Sequence, residues 1–366
     1  MKKIMLVFGT RPEAVKMCPL IHELKKHPDR VRTVVCVTGQ HRGLLDPVLA
    51  AFQVVPDYDL AILREGQSLF HITESVLQRL PPVLDREAPD AVIVHGDTTT
   101  AFAAALACYY KHIPVGHVEA GLRTYDPAAP WPEEFNRHAV DAVSRWRFAP
   151  TEVCRENLLR EGARPETVHV TGNTVIDALK TTVRADYSHP ALAWAEGSRL
   201  LLVTAHRREN LGQPMTRMFR AIRRIAADFP DVRILYPVHP NPAVQTLARR
   251  ELEGAPRIRL VDPLNVVDFH NLMARSWLIL TDSGGIQEEA SALKKPVLVM
   301  RDATERPEGV AAGTLRLVGT DESAIYGACR ELLTDPAAYQ GMINAENPYG
   351  DGTASRRIAE ILLRDN

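Results

Sequence analysis

Short apolar runs recur along the chain, with amphipathic stretches between them. Ile4–Phe8, Val31–Val37, Ala91–His95, Pro114–Val118 and Arg147–Ala149 are each a handful of β-branched or otherwise apolar residues. Runs of that length without polar alternation mark strands covered on both faces of a parallel sheet. Between them Ala14–Lys26, Ser68–Arg86, Thr98–Lys111 and Glu133–Arg145 place apolar residues at helical spacing. That alternation predicts βαβ units, whose right-handed crossovers build a doubly wound sheet. The pattern then restarts at Leu200–Val203 and continues through Val232–Tyr236, Ile258–Val261, Trp277–Leu280 and Pro296–Val299. The join lies around Tyr187–Ser198, where Ser188-His189-Pro190 and Gly197-Ser198 are local breakers. The predicted fold is α/β: two Rossmann-like doubly wound domains facing across a cleft. The last segment is the loop Asn347–Gly352 and the amphipathic helix Thr353–Leu363. The pattern alone leaves that helix to cap the second domain or to cross back onto the first.

Length agrees with the pattern, since 366 residues favour two domains at about 100–200 residues each. Lys plus Arg number 44 against 45 Asp plus Glu, so no basic excess draws the chain to nucleic acid or an anionic membrane surface. Hydrophobic residues at 45% and charged residues at 24% exclude a disordered or fibrous chain. No stretch approaches the roughly 18 uninterrupted apolar residues of a transmembrane helix. Met1–Gly9 has the charged start of a signal peptide but too short an apolar run and no small-x-small cleavage site, so it reads as a first buried strand. The cysteines at 18, 36, 108, 154 and 329 are odd in number and lack metal or redox spacing. They read as small core residues in a reducing cytosol, and a soluble cytoplasmic protein is expected.

In open α/β sheets ligands bind beyond the carboxyl ends of the strands, so the loops there are read first. They hold Gly9-Thr10-Arg11-Pro12-Glu13, Gly96-Asp97-Thr98, Glu119-Ala120-Gly121, His206-Arg207-Arg208-Glu209-Asn210, His239-Pro240-Asn241 and Asp282-Ser283-Gly284-Gly285. Ser283-Gly284-Gly285 follows a strand and opens a helix, where free backbone N–H groups and the positive helix end suit a phosphate. Glu289 lies one turn on, placed to accept from ribose hydroxyls. The plainer reading is a strand–helix turn with a surface glutamate, and the tripeptide alone supports both. A dinucleotide GxGxxG after a strand, a GxxxxGK[ST] loop, an HExxH and a clustered metal pattern are all missing. Asp57-Tyr58-Asp59 has the form of a metal-binding DxD but follows no strong strand, and is read as a loop.

Asp97, Glu119 and Glu133 are three acids at predicted strand ends or helix starts. Taken singly, Asp97 is a helix N-cap and Glu133 a first-turn acid, while Glu119 directly follows an apolar run. Lining one crevice, they point to proton transfer at carbon. Arg11, His206, Arg207 and Arg306 supply the opposite charge, which suits a diphosphate and lets the histidine protonate it as it leaves. Charges of both signs in one cleft fit a nucleotide-sugar.

These residues carry a family likeness. Val7–Ala14 with Lys16, His95–Thr100, Gly116–Arg123, Trp131–Arg137, Thr171–Thr174, His206–Asn210, Thr281–Glu289 and Arg301–Glu308 resemble the bacterial non-hydrolysing UDP-N-acetylglucosamine 2-epimerases, in order and over nearly the whole chain. The resemblance implies the two-domain GT-B arrangement, with residues 1–172 plus the terminal helix 352–366 on the acid–base side and 173–351 holding UDP. It implies interconversion of UDP-GlcNAc and UDP-ManNAc by loss of UDP to 2-acetamidoglucal and its re-addition, with no metal or other cofactor, in a homodimer. Asp97, Glu119 and Glu133 match the family's acid–base carboxylates and His206 its histidine. Arg11, Lys16, Ser283, Gly284, Gly285, Glu289 and Arg306 match UDP contacts, and Phe269 a base contact. Gln40, His41, Arg208 and His239 match residues that bind a second, activating UDP-GlcNAc. Gly43 departs from that allosteric pattern, since some relatives carry Gln there, and Leu264 stands where some carry Gln near the uracil. A hydrolysing epimerase, a GT-B glycosyltransferase and a non-catalytic sugar-nucleotide sensor are the rival readings.

Overall fold

The computed structural model describes residues 1–39, 42–64 and 66–364. The chain divides into two compact units, the first comprising Met1–Thr181 and the segment from Tyr349 onward, the second Thr182–Pro348. Each unit is built on one parallel sheet.

In the first unit the strands are β1 (Lys2–Phe8), β2 (Val31–Val37), β3 (Tyr58–Asp59), β4 (Ala91–His95), β5 (Val115–Val118), β6 (Trp146–Ala149) and β7 (Val168–Val170). They lie in the order β3-β2-β1-β4-β5-β6-β7. The helices α1 (Arg11–Lys25), α2 (Arg42–Ala51), α3 (Leu69–Glu87), α4 (Thr99–Tyr110), α5 (Glu133–Val143), α6 (Glu152–Arg160) and α7 (Thr174–Thr182) connect them or follow them. Met5 and Val7 of β1 join a core cluster with α3 and α4, while Ile4, Leu6 and Phe8 are buried on the other face. Burial on both faces is why β1 reads as one unbroken apolar run.

The second unit holds α8 (Pro190–Trp194), β8 (Arg199–Thr204), α9 (Gln213–Asp228), β9 (Val232–Pro237), α10 (Pro242–Leu252), β10 (Ile258–Val261) and α11 (Val266–Ala274). It continues with β11 (Leu278–Thr281), α12 (Gly284–Ala292), β12 (Val297–Val299), α13 (Pro307–Ala312), β13 (Leu315–Leu317), α14 (Glu322–Thr334) and α15 (Pro336–Asn344). The strand order β10-β9-β8-β11-β12-β13 repeats the β3-β2-β1-β4-β5-β6 portion of the first sheet, with no counterpart of β7 among the described residues and without any sequence repeat. Leu201 and Val203 pack against α9, α10 and α14, while Leu200 and Leu202 pack toward α11 and α12. In both units the strand order reverses beside the first strand, between β1 and β4 and between β8 and β11, which is where such sheets take ligands.

The last helix, α16 (Ala354–Arg364), belongs to the first unit. Lys2 Nζ and Arg30 donate to the carbonyls of Leu362 and Leu363, both at 3.0 Å. The division between units lies one helix beyond the expected 172/173 boundary, because α7 is fastened to this returning segment. Asp177 accepts from the N–H groups of Ala354 (3.2 Å) and Ser355 (2.9 Å), and Lys180 bonds the Gly352 carbonyl. Gly172, at φ +86°, lets the two backbones meet: a Cβ there would stand 3.3 Å from the Gly350 Cα. The expected Asp57–Asp59 loop contains the two-residue edge strand β3. Its acids serve the backbone, with Asp57 accepting from Val35 N–H at 2.8 Å and Asp59 from Ala61 N–H at 2.7 Å. Among the described residues no helix is long and apolar enough to cross a membrane, and no group of three or more His, Cys, Asp or Glu could hold a metal ion.

Candidate active site

In the first unit the chemistry gathers after β1, β4 and β5. Asp97 is not the cap of α4, as its position suggests; Thr98 is, its hydroxyl accepting from Ala101 N–H at 3.0 Å. The Asp97 carboxylate is left to accept from Arg137, and Asn136 donates to the Asp97 carbonyl at 2.9 Å. Arg137 is buried and also donates to Glu134 at 3.2 Å, so α5 is anchored on the β4 loop by two consecutive residues. Glu133, the first residue of α5, lies one turn before Arg137. It is half-buried and forms no hydrogen bond or ion pair among the described residues.

Glu119 directly follows β5 with φ +68°, a left-handed conformation that a non-glycine residue adopts only when its surroundings hold it there. Its carboxylate pairs with Lys16 and accepts from Asn173 at 2.9 Å, and His95 Nε2 stands 3.7 Å away. Lys16, expected to meet UDP, is thus also the ion-pair partner of Glu119. Arg11 opens α1, is exposed, and has no side-chain partner among the described residues. Glu13 is fully buried and accepts from the N–H groups of Gly9 (3.0 Å) and Thr10 (2.8 Å) and from the Thr98 hydroxyl (2.7 Å). Burial pushes its carboxyl up, and those three donors pull it back only in part. It knits the loop after β1 to the loop after β4. The Thr10-x-x-Glu13 spacing is a capping-box signature, the local sequence signal for this glutamate.

Beneath Asp97, His117 Nδ1 lies 2.6 Å from Asp141 and its Nε2 2.8 Å from the Gly96 carbonyl. Asp141 also accepts from Arg123 at 2.7 Å. These buried groups brace the strand ends that carry Asp97 and Glu119.

In the second unit the loops after β8, β11 and β12 converge. Asp282, with no exposed surface, accepts from His206 N–H at 3.0 Å, Arg207 N–H at 2.9 Å and the Asn210 amide at 3.0 Å. One carboxylate thus fastens the His206 loop to Ser283-Gly284-Gly285. Its place in the sequence, between a buried threonine and the glycine loop, gave no sign of this work. The ring of His239, expected at an activating site, lies with its centroid 5.2 Å from that of His206. Arg208 is exposed, and Gln40 and His41 lie outside the described residues.

Gly284 and Gly285 open α12, with Ser283 as its N-cap residue. Arg306 lies over that helix start: a Cβ on Gly284 would meet its Nη1 at 2.6 Å. The guanidinium is held by Glu288 at 2.7 Å and Glu305 at 2.9 Å. Burial raises the Glu305 carboxyl, but Arg306 and Arg301 outweigh it and bring the group down to about 2. Gln287 donates to the Ser283 carbonyl and accepts from Thr304, whose hydroxyl oxygen takes the Arg306 N–H. The helix N-terminus, its glycines and an immobilised arginine together form an anion-binding arrangement. Phe269, on α11, and Glu289, on α12, are both partly buried.

Comparison with known proteins identifies the family of the chain. The sequence model of the UDP-N-acetylglucosamine 2-epimerase family matches residues 22–363. The UDP-N-acetylglucosamine 2-epimerase of Bacillus subtilis is 56% identical over 361 residues, covering 99% of this chain and 95% of its own length. That of Escherichia coli O157:H7 is 50% identical, with 98% of each chain covered. The crystal structure of the Neisseria meningitidis UDP-GlcNAc 2-epimerase bound to UDP-GlcNAc is 47% identical and superposes with a TM-score of 0.92, covering 99% of this chain and all of the other. The two-domain, GT-B-like α/β class expected from the sequence is shared with that structure.

Proposed function

The chain belongs to the UDP-N-acetylglucosamine 2-epimerase family and is an epimerase; from that premise we propose that it interconverts UDP-GlcNAc and UDP-ManNAc by elimination and re-addition of UDP. The anomeric C–O bond breaks with its electron pair leaving on UDP, the C2 proton passes to an enzyme base, and 2-acetamidoglucal forms. Return of a proton to the other face of C2 and attack by UDP at C1 complete the inversion.

The second unit takes the diphosphate in this reading. Ser283, Gly284 and Gly285 offer backbone N–H groups, Arg306 offers charge, and His206 protonates the departing phosphate oxygen. Phe269 faces the base and Glu289 the ribose. In the first unit, Asp97, Glu119 and Glu133 carry the proton to and from C2, with Lys16 holding Glu119. A C2–H beside an acetamide is a poor acid, so removing it needs a positioned base acting while the diphosphate charge is neutralised. The observation that supports the reading is the Asp282 clamp, which fastens the loop carrying His206 to the glycine loop that opens α12. A module that only bound UDP would need neither that histidine nor the acids.

The same reading makes the enzyme a cytoplasmic homodimer that supplies ManNAc-type precursors for cell-surface polysaccharide. All five cysteines are buried and free, as suits a reducing compartment. Phe70, Tyr109, Tyr110 and Phe135 expose apolar surface on α3, α4 and α5, which a second copy would cover.

Incubation with UDP-GlcNAc in D2O, followed by NMR, tests the proposal. UDP-ManNAc carrying deuterium at C2 is the expected product. Free ManNAc would make the enzyme a hydrolysing epimerase, and turnover only with an acceptor sugar would make it a glycosyltransferase.

A further inference from the structure

Glu289 sits one turn into α12 with a side chain 13% exposed, and among the described residues its carboxylate has a single partner. That partner is His270, whose Nε2 lies 3.4 Å from the Glu289 Oε2. His270 is 2% exposed, so it faces other protein groups and not a ligand. Its other ring nitrogen, Nδ1, lies 2.7 Å from the Thr182 hydroxyl oxygen. The next residue, Asn271, is fully buried; it donates to the Thr182 carbonyl at 2.7 Å and accepts from Arg184 N–H at 2.9 Å. Thr182 is where the chain passes from the first unit into the second.

We propose that His270 is a positioning residue for the nucleotide site: anchored on Thr182, it holds one oxygen of Glu289 and leaves the other aimed at the ribose hydroxyls of the bound nucleotide. The inference rests on the assignment of Glu289 to the ribose. Glutamate has three rotatable bonds, and a free carboxylate would have to give up that freedom each time a nucleotide bound. Contact with His270 removes the freedom beforehand, so the ribose meets an acceptor already in place. A carboxylate oxygen can only accept, so the pair works with the ring nitrogen donating. The same helix carries Phe269, so base contact and ribose support are neighbours on α11.

The test is a cycle between the protein and the ligand. Dissociation constants for UDP and for 2′,3′-dideoxy-UDP are measured by calorimetry on the wild type, His270→Ala, His270→Gln and Glu289→Gln. The wild type is expected to favour UDP by about tenfold, a factor typical of a hydroxyl paired with a charged acceptor. His270→Ala is expected to lose that preference while binding dideoxy-UDP within twofold of wild type. His270→Gln, which keeps a donor, is expected to recover part of it, and carries the same comparison should the alanine variant not fold. Equal weakening of both nucleotides by His270→Ala would show a merely structural histidine and overturn the proposal. Failure of the underlying assignment reads differently: Glu289→Gln would then keep the wild-type preference, and the proposal falls with it.

Discussion

Asp282 holds His206 by its backbone, accepting its N–H at 3.0 Å from a position with no exposed surface. The same carboxylate takes Arg207 N–H and the Asn210 amide, so the loop after β8 cannot move without breaking three hydrogen bonds. Asp282→Asn puts an NH2 group among donors and leaves at least one of them unpaired, at a cost of about 1–3 kcal/mol each. The effect on chemistry comes through placement of the imidazole, and a shift of about 1 Å at a reacting group can cost on the order of 100-fold in rate. We expect kcat for UDP-GlcNAc epimerisation to fall about 10- to 100-fold while UDP affinity changes only a few-fold. In a His206→Asn background the same substitution should add little further loss, because both act through one group. Full additivity in the double variant would show that Asp282 serves something other than His206.

Asp97 is spared from capping α4 by Thr98 and is gripped by Arg137. Asp97→Asn should therefore abolish turnover, by about 1000-fold or more, while calorimetry still shows UDP binding. Arg137→Lys keeps a charge but not the fork that spans Asp97 and Glu134, and should lower kcat by roughly tenfold or more with UDP affinity unchanged. Near-wild-type activity of Asp97→Asn would sink the site assignment.

The interior of both sheets was legible from the apolar runs because central strands are buried on two faces and leave an uninterrupted signal. The strands that escaped, β3, β7 and β13, are all edges of two or three residues with partly exposed side chains, such as Tyr58 and Arg316. At the site, residues directly after strands were visible by position: Asp97, Glu119, His206 and the glycine loop. What stayed hidden was the bracing. Arg137, His117, Asp141, Asp282 and His270 each have a partner between 24 and 88 positions away in the chain, as His117–Asp141 and Thr182–His270 show. No local pattern reports such a pairing. The same kind of long-range pairing joins Lys16, 103 positions away in the chain, to Glu119.

Gly284 and Gly285 separate packing from ligand approach. A Cβ on Gly284 would meet Arg306 Nη1 at 2.6 Å and Glu305 Oε1 at 2.7 Å, so Gly284→Ala should displace the arginine. At Gly285, among the described residues, nothing beyond its chain neighbours and its own helix backbone lies within 4 Å of the added carbon. Gly285→Ala sits inside a helix without crowding and should leave the melting temperature unchanged or raise it slightly, since alanine favours helix by about 1 kcal/mol over glycine. If a diphosphate approaches this backbone, UDP affinity should nonetheless fall about tenfold or more. Unchanged UDP affinity in Gly285→Ala would move the phosphate elsewhere.

His95 gives the protein a pH dependence that can be isolated. It is buried, and its Nε2 has no hydrogen-bond partner among the described residues and stands 3.7 Å from Glu119. Burial, outweighing attraction to Glu119, pushes it down from 6.5 to about 3, and Lys16 pushes the same way. Between those values the unfolded chain holds a proton that the folded chain lacks. The stability His95 contributes by staying neutral is therefore complete above about pH 6.5 and is lost as pH falls toward 3. The slope approaches one proton, about 1.4 kcal/mol per pH unit. His95→Gln removes the titration, so its stability, whatever its value at pH 7.5, should fall less steeply than that of the wild type between pH 6.5 and pH 4. Urea unfolding across that range measures both slopes, and their difference should be about one proton. Parallel slopes would mean that His95 takes up a proton in the folded state, and that the buried ring is charged beside Glu119.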